Sequence, residues 1–211
     1  MTLGALLIGS VCLAQTEGNY VVIINNDSIQ IKLNNNVHYK TTSGEKLTIS
    51  IIQPDILTYS DDFISFDYNK SLSCSNTKID KDIEQCMIMK STGNGCIVQK
   101  YKTINPSSLT QLMLNELTKE SISYGYSKTE RKFKKKLISG QTIEGVQATL
   151  KYKGEKQVFT VATYGEKDKG IVVVTMLLNE DFEEDKEIIK LFLKTLSINT
   201  TEAKIINPKQ D

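Results

Sequence analysis

Along most of this chain apolar and polar positions alternate with the two-residue period of a strand, and only two stretches switch to a helical period. Ile29, Ile31 and Leu33 alternate with Ser28, Gln30 and Lys32, as on a strand with one face buried. Val21–Ile24 runs into Asn25-Asn26-Asp27, and Ser43-Gly44-Glu45 leads into Leu47, Ile49 and Ile51. These are turn residues between apolar runs, so residues 20–52 are expected to form two hairpins in a small β-meander. The main domain is expected to open at Asp61, where Ile64, Phe66 and Tyr68 share one strand face. Residues 76–82 read as a polar loop. Glu84–Met89 and Gly95–Tyr101 flank Thr92-Gly93-Asn94-Gly95, a turn suited to positive φ, and should pair as a hairpin.

The first helical stretch is Asn105–Gly125, NPSSLTQLMLNELTKESISYG. Asn105 can cap it, Pro106 suits the first helical position, and Ser108 with Gln111 offers a capping-box start one turn later. Leu109, Leu112, Met113, Leu117 and Tyr124 recur at helical steps and predict its buried face. Gly125 can end it in the left-handed conformation. Four strand-like stretches follow. Residues 127–138 hold Phe133 and Leu137 in a basic background, and in the next stretch Val146, Ala148, Leu150 and Tyr152 alternate with Gln147, Thr149, Lys151 and Lys153. Residues 157–164 form the third. Ile171–Leu178 is apolar at nearly every position, as expected of a central strand buried on both faces. The second helix is expected over about Glu180–Leu196. Its acidic start (Glu180, Asp181, Glu183, Glu184, Asp185) and its Lys190 and Lys194 complement the helix dipole. Phe182, Ile189, Leu193 and Leu196 form its expected core face, with Phe192 at the border.

Composition sets limits on partners and compartment. Lys+Arg 26 against Asp+Glu 25 leaves no net basic footprint, so no nucleic-acid partner is expected. Met1–Ala14, MTLGALLIGSVCLA, is a short apolar run ending in small residues, although no Lys or Arg precedes it. It reads as a signal peptide cleaved after Ala14, which places the protein in the periplasm or outside the cell. Val11 before Cys12 departs from the lipoprotein pattern, so lipidation is not expected. The run is too short to span a bilayer, and no transmembrane segment is expected in the mature chain.

Cys74, Cys86 and Cys96 then remain, an odd number. Cys74 and Cys86 lie on consecutive strand-like segments joined around Asp80. They would face each other if that loop folds symmetrically, so a disulfide and a pair of buried free thiols are both open.

The order of elements, together with F-x-S-F-x-Y at Phe63–Tyr68, G-Q-T-I-E-G-V-Q-A-T-L-K-Y at Gly140–Tyr152, F-x-V-A-T-Y at Phe159–Tyr164 and a closing L-F-L-K-T-L-S-I, resembles the PsbP-like family. That family takes its name from an extrinsic protein of photosystem II, and the exported proteins of Bacteroidetes-like bacteria are its nearest-looking branch. The resemblance covers about residues 61–198. It implies an α+β fold, an antiparallel sheet sandwiched by two helices, here preceded by the N-terminal β-meander. The expected organisation is signal peptide 1–14, β region 15–60, α+β domain 61–198 and flexible tail 199–211. The resemblance also implies a non-enzymatic binding or assembly role, and no ligand motif carries over.

Chemistry is sparse in the residues themselves. His38 is the single histidine, no C-x-x-C or G-x-S-x-G occurs, and neither catalytic residues, a metal nor a cofactor is expected. Asp61-Asp62 reads as a turn and strand-edge guard. Lys132, Lys134 and Lys136 share one side of a strand, with Lys151 and Lys153 expected nearby on its partner. They could engage an acidic protein, an anionic glycan or a lipid headgroup, or guard a solvated strand edge. The leading expectation is an exported non-catalytic binding or assembly module. The alternatives are an envelope hydrolase with an unrecognised site, and a secretion accessory or immunity protein using a basic face.

Overall fold

The structure, a computed structural model, describes residues 19–178 and 183–199. The expected signal peptide and its cleavage point, Cys12, the helix start at Glu180–Phe182 and residues 200–211 of the expected tail lie outside the described residues. The chain divides into two units, Met1–Pro54 and Asp55–Asp211.

In the first unit the turn residues do what their chemistry allows. β1 (Asn19–Ile24) pairs with β2 (Asp27–Lys32), and β3 (Asn36–Lys40) with β4 (Lys46–Ser50), as two separate antiparallel hairpins. Asn25 takes φ 56 in the first turn, a conformation asparagine tolerates. The Asn34 N–H donates to the Ile51 carbonyl at 2.8 Å and links the hairpins. Among the described residues of this unit Ile31 is the one buried apolar side chain. His38 lies exposed on β3 beside Thr48, with Nδ1 and Oγ1 3.1 Å apart.

The second unit holds two sheets. β5 (Ile56–Ser60), β6 (Ile64–Asn69) and the two-residue β14 (Ser197–Ile198) form a small antiparallel sheet in the order β14-β6-β5. β7 (Ser73–Asp80), β8 (Ile83–Met89), β9 (Gly95–Tyr101), β10 (Ser127–Lys136), β11 (Thr142–Tyr152), β12 (Glu155–Gly165) and β13 (Gly170–Leu177) form an antiparallel sheet in the order β10-β11-β12-β13-β9-β8-β7. β13 is central, and successive residues bury on opposite faces. Ile171 and Val173 join Cys86, Ile88, Val98 and Ala162 against Ile64 and Phe66 of the small sheet and Phe192 and Leu196 near the chain end. Val172 and Val174 join Leu150, Phe159 and Val161 against Leu114 of α1 (Thr110–Tyr124). α2 (Glu183–Thr195) packs on β6, β9 and β13.

This overturns the expected fold class. The protein is mainly β, with fourteen strands against two α-helices among the described residues, and it is not an α+β sheet sandwiched by two helices. A second sheet covers one face of the large sheet, with α2 beside it. The cause is local. Asp61 accepts the N–H groups of Phe63 and Ile64, both at 2.8 Å. This turn folds β6 back onto β5, a strand the sequence reading missed, and takes Phe66 out of the large sheet to pack upon it. Similarly, residues 76–80, read as loop, extend β7 as the sheet's exposed edge.

The first helix begins and ends where its punctuation says. Asn105 accepts the Ser107 N–H at 3.0 Å and starts a 3-10 turn, Pro106–Leu109, ahead of α1. The Ser108/Gln111 box does not form: α1 has no side-chain cap, and Gln111 bonds Asn115 and Glu130 instead. At the other end Gly125 takes φ 115, and the N–H groups of Gly125 and Tyr126 reach the Ile122 and Ser121 carbonyls. Gly125→Ala should therefore cost about 1–2 kcal/mol, because its Cβ would also lie 3.3 Å from the Tyr152 ring. Thermal unfolding of the variant checks this; an unchanged midpoint contradicts it.

Both expected helix faces need correction. In α1 Leu114 and Thr118 are fully buried, Leu109, Met113 and Leu117 are half-buried, and Leu112 and Tyr124 are exposed. The Thr118 hydroxyl donates to the Leu114 carbonyl at 2.8 Å, so a threonine can hold a core position. In α2 Phe192 sits at the centre of the core rather than at its border, and Ile189 and Leu193 lie half-buried beside it.

Candidate functional site

The strand rows that build the site follow from register. Arg131 of β10 stands opposite Gln147 of β11, Gln147 opposite Thr160 of β12, and Thr160 opposite Thr175 of β13. On the next row Thr129, Thr149, Val158 and Leu177 align, and beyond it Lys151 faces Lys156. This is the same sheet face whose other end carries Ile143, Ala162, Ile171 and Val173 beneath the small sheet. The face thus changes from apolar to polar where the second sheet ends. There α2 forms one wall of a groove of about 780 Å³, contributing Lys186, Ile189, Lys190 and Leu193.

Six cationic side chains line this groove, Arg131, Lys135, Lys151, Lys156, Lys186 and Lys190, and among the described residues no carboxylate is in its lining. The floor is hydrogen-bonded: Arg131 Nε donates to Gln147 Oε1 at 2.8 Å, and Gln147 Nε2 to Thr160 Oγ1 at 3.0 Å. Thr160 and Thr175 are buried. Phe133, Val158, Leu177, Ile189 and Leu193 supply an apolar strip. Two of the cations also pair on their own helix, Lys186 with Glu183 at 2.7 Å and Lys190 with Glu187 at 3.0 Å.

The lysines singled out from the sequence are not gathered into one patch. Lys132, Lys134 and Lys136 are exposed together on the opposite sheet face, where Lys132 and Lys134 line a second cavity of about 780 Å³. Glu144 lies among them, 2.6 Å from Lys134 Nζ. Lys151 sits at the other end of β11, opposite Ser127, and points into the groove. Lys153 is in the turn after β11, its Nζ 5.0 Å from the Tyr152 ring centroid.

A second polar cluster lies beneath the small sheet. Lys100 is 2% exposed, with Nζ 2.5 Å from Asp61 Oδ2 and 3.1 Å from Glu84 Oε2. Tyr59 donates to Asp61 at 2.6 Å, and Asn76 Nδ2 donates to Tyr59 at 3.1 Å. Burial alone would lower the Lys100 pKa; its bonds to Asp61 and Glu84 outweigh this and keep the ammonium protonated above its ordinary value. Burial would likewise raise Asp61, but hydrogen bonds from Lys100, Tyr59, Ile64 and Phe63 hold it low. Asp61 is therefore more than the strand-edge guard the sequence suggested. Cys74 and Cys86 lie alongside, both free, with Sγ atoms 3.4 Å apart. Among the described residues no group of His, Cys, Asp and Glu converges to hold a metal ion, and no helix is long and apolar enough to cross a membrane.

No family model matches the chain, and no curated protein matches it. The resemblance to the PsbP-like family rests on the residues quoted for it alone.

Proposed function

We propose that the chain is a non-catalytic binding module of the cell envelope, and that the groove between β10–β13 and α2 holds a small anionic, hydroxyl-rich ligand. One observation carries this: among the described residues six cations line a cavity of about 780 Å³ without a carboxylate, within the size range of small-molecule sites. Cations of one sign in a concave wall focus their field and concentrate anions. The threonine and glutamine floor offers both donors and acceptors, and the apolar strip suits the uncharged side of a sugar or a headgroup's glycerol end. Among the described residues the lining offers no carboxylate, histidine or cysteine to move a proton or attack, which favours binding over turnover. Placement in the envelope rests on Met1–Ala14.

The test is titration with a sulfated disaccharide and, separately, with vesicles of anionic phospholipid. The triple change Arg131→Gln, Lys135→Gln, Lys151→Gln should weaken binding roughly tenfold or more and flatten its salt dependence. Lys132→Gln, Lys134→Gln, Lys136→Gln, on the opposite face, should leave it unchanged. Equal loss in both triples, or no binding of either probe, would overturn the assignment to the groove.

A further inference from the structure

Cys74 and Cys86 stand on adjacent strands but not opposite each other: Cys74 pairs with Ile88, and Asn76 with Cys86. They are diagonal neighbours on the face beneath the small sheet, with sulfurs 3.4 Å apart. Diagonal positions are wider than the spacing a relaxed disulfide spans. However, β7 is an edge strand, bonded on one side only, and its register shifts between Lys78 and Asp80. Such a strand can slide by the fraction needed to close the bond. The two thiols also differ in access. Cys74 is half-buried, whereas Cys86 is buried.

We propose that Cys74 and Cys86 form a reversible dithiol–disulfide site, in which Cys74 attacks an external disulfide, Cys86 resolves the adduct, and the bond formed staples the sheet's edge strand. The Cys74 thiolate attacks one sulfur of R–S–S–R; that S–S bond breaks and the first R–S⁻ leaves. Cys86 then attacks Cys74 Sγ, and the second R–S⁻ leaves. The protein dithiol is oxidised by two electrons, the external disulfide is reduced to two thiols, and these carry away both cysteine protons. The hydrogen bond from Cys86 lowers the pKa of Cys74 and raises that of Cys86, which matches attacking and resolving roles. Lys100 favours a thiolate here, and Asp61 opposes it. Burial pushes the Cys96 thiol up and leaves it outside the exchange. Because the pairing is diagonal, the disulfide is strained and should be readily reduced.

The experiment exposes the full chain to oxidised glutathione at neutral pH, followed by peptide mapping and intact mass. The expected result is a mass lower by two hydrogens, a linked Cys74–Cys86 peptide, and return to the dithiol with dithiothreitol. Cys86→Ser should hold one glutathionyl group on Cys74, and Cys74→Ser should hold none. If Cys86→Ser does not fold, acid quenching of the wild type at early times should catch the same adduct on Cys74. A linkage to Cys96 or Cys12, a first adduct on Cys86, or persistence of both free thiols would overturn the proposal.

Discussion

Replacing Lys100 with methionine is expected to lower the free energy of unfolding by roughly 3–5 kcal/mol, the cost of breaking a buried ion pair from one side. Lys100 is 2% exposed between Asp61 and Glu84. Without it Glu84 keeps Lys102 at 2.5 Å, whereas Asp61 loses this cation and keeps its hydrogen bonds from Tyr59, Phe63 and Ile64. Adding Asp61→Asn should recover part of the loss, because an apolar or neutral replacement of both partners avoids the orphaned charge. Denaturant midpoints at constant slope measure both variants; a loss under about 1 kcal/mol for Lys100→Met contradicts the ion-pair account. The pH dependence follows from the sign of the shift. Asp61 is held below its ordinary 3.8 in the folded protein. Its stabilisation is complete above that value and is lost as pH falls through the lower folded pKa. The wild type should therefore lose stability below about pH 4 along a limb that Asp61→Asn flattens.

Phe192→Ala should cost about 3–5 kcal/mol, as for a large buried aromatic whose cavity cannot collapse. Phe192 is fully buried, and its ring packs edge-on against Phe66 at 5.0 Å between centroids. Tyr59 stacks on Phe66 at 5.1 Å between centroids. The change therefore loosens α2 and the small sheet together. Both should gain hydrogen exchange in the variant, while α1, on the opposite face, should not. A loss below about 1.5 kcal/mol would mean that neighbouring side chains refill the space.

Much of the local structure was legible, and the reasons are specific. Asn105-Pro106 and Gly125 mark the helix start and end because capping is a property of a few adjacent residues. The two N-terminal hairpins and the central position of β13 followed from turn chemistry and a continuous apolar run. What depended on distant partners was not legible. Val146, Ala148 and Leu150 alternate with Gln147, Thr149 and Lys151, and alternation alone does not say what the polar side faces. In fact α2 walls that side into the groove, a fact no local period contains. The expected lysine patch split because Lys151 lies on the sheet face opposite Lys134 and at the far end of β11. Cys74 and Cys86 would face each other if the loop folded symmetrically about Asp80. The actual turn centres one residue later, at Lys81, and converts a direct pair into a diagonal one. Asp61 looked like an edge residue because its partner, Lys100, is on a strand well beyond it in sequence.

The pairing of β14 with β6, Ser197 with Ser65 and Ile198 with Ile64, has a consequence for synthesis. One end of the second unit cannot close on its other end until residue 198 has left the ribosome. β9 waits in the same way for β13, with α1 and three strands translated in between. Non-local pairings of this kind slow folding, since the loop must close before contacts reward it. The second unit should thus stay open until β13 is made, with the β5–β6 hairpin and the β7–β9 meander as its early local structure. It completes the large sheet only once β13 has emerged, and seals the small one only once β14 has.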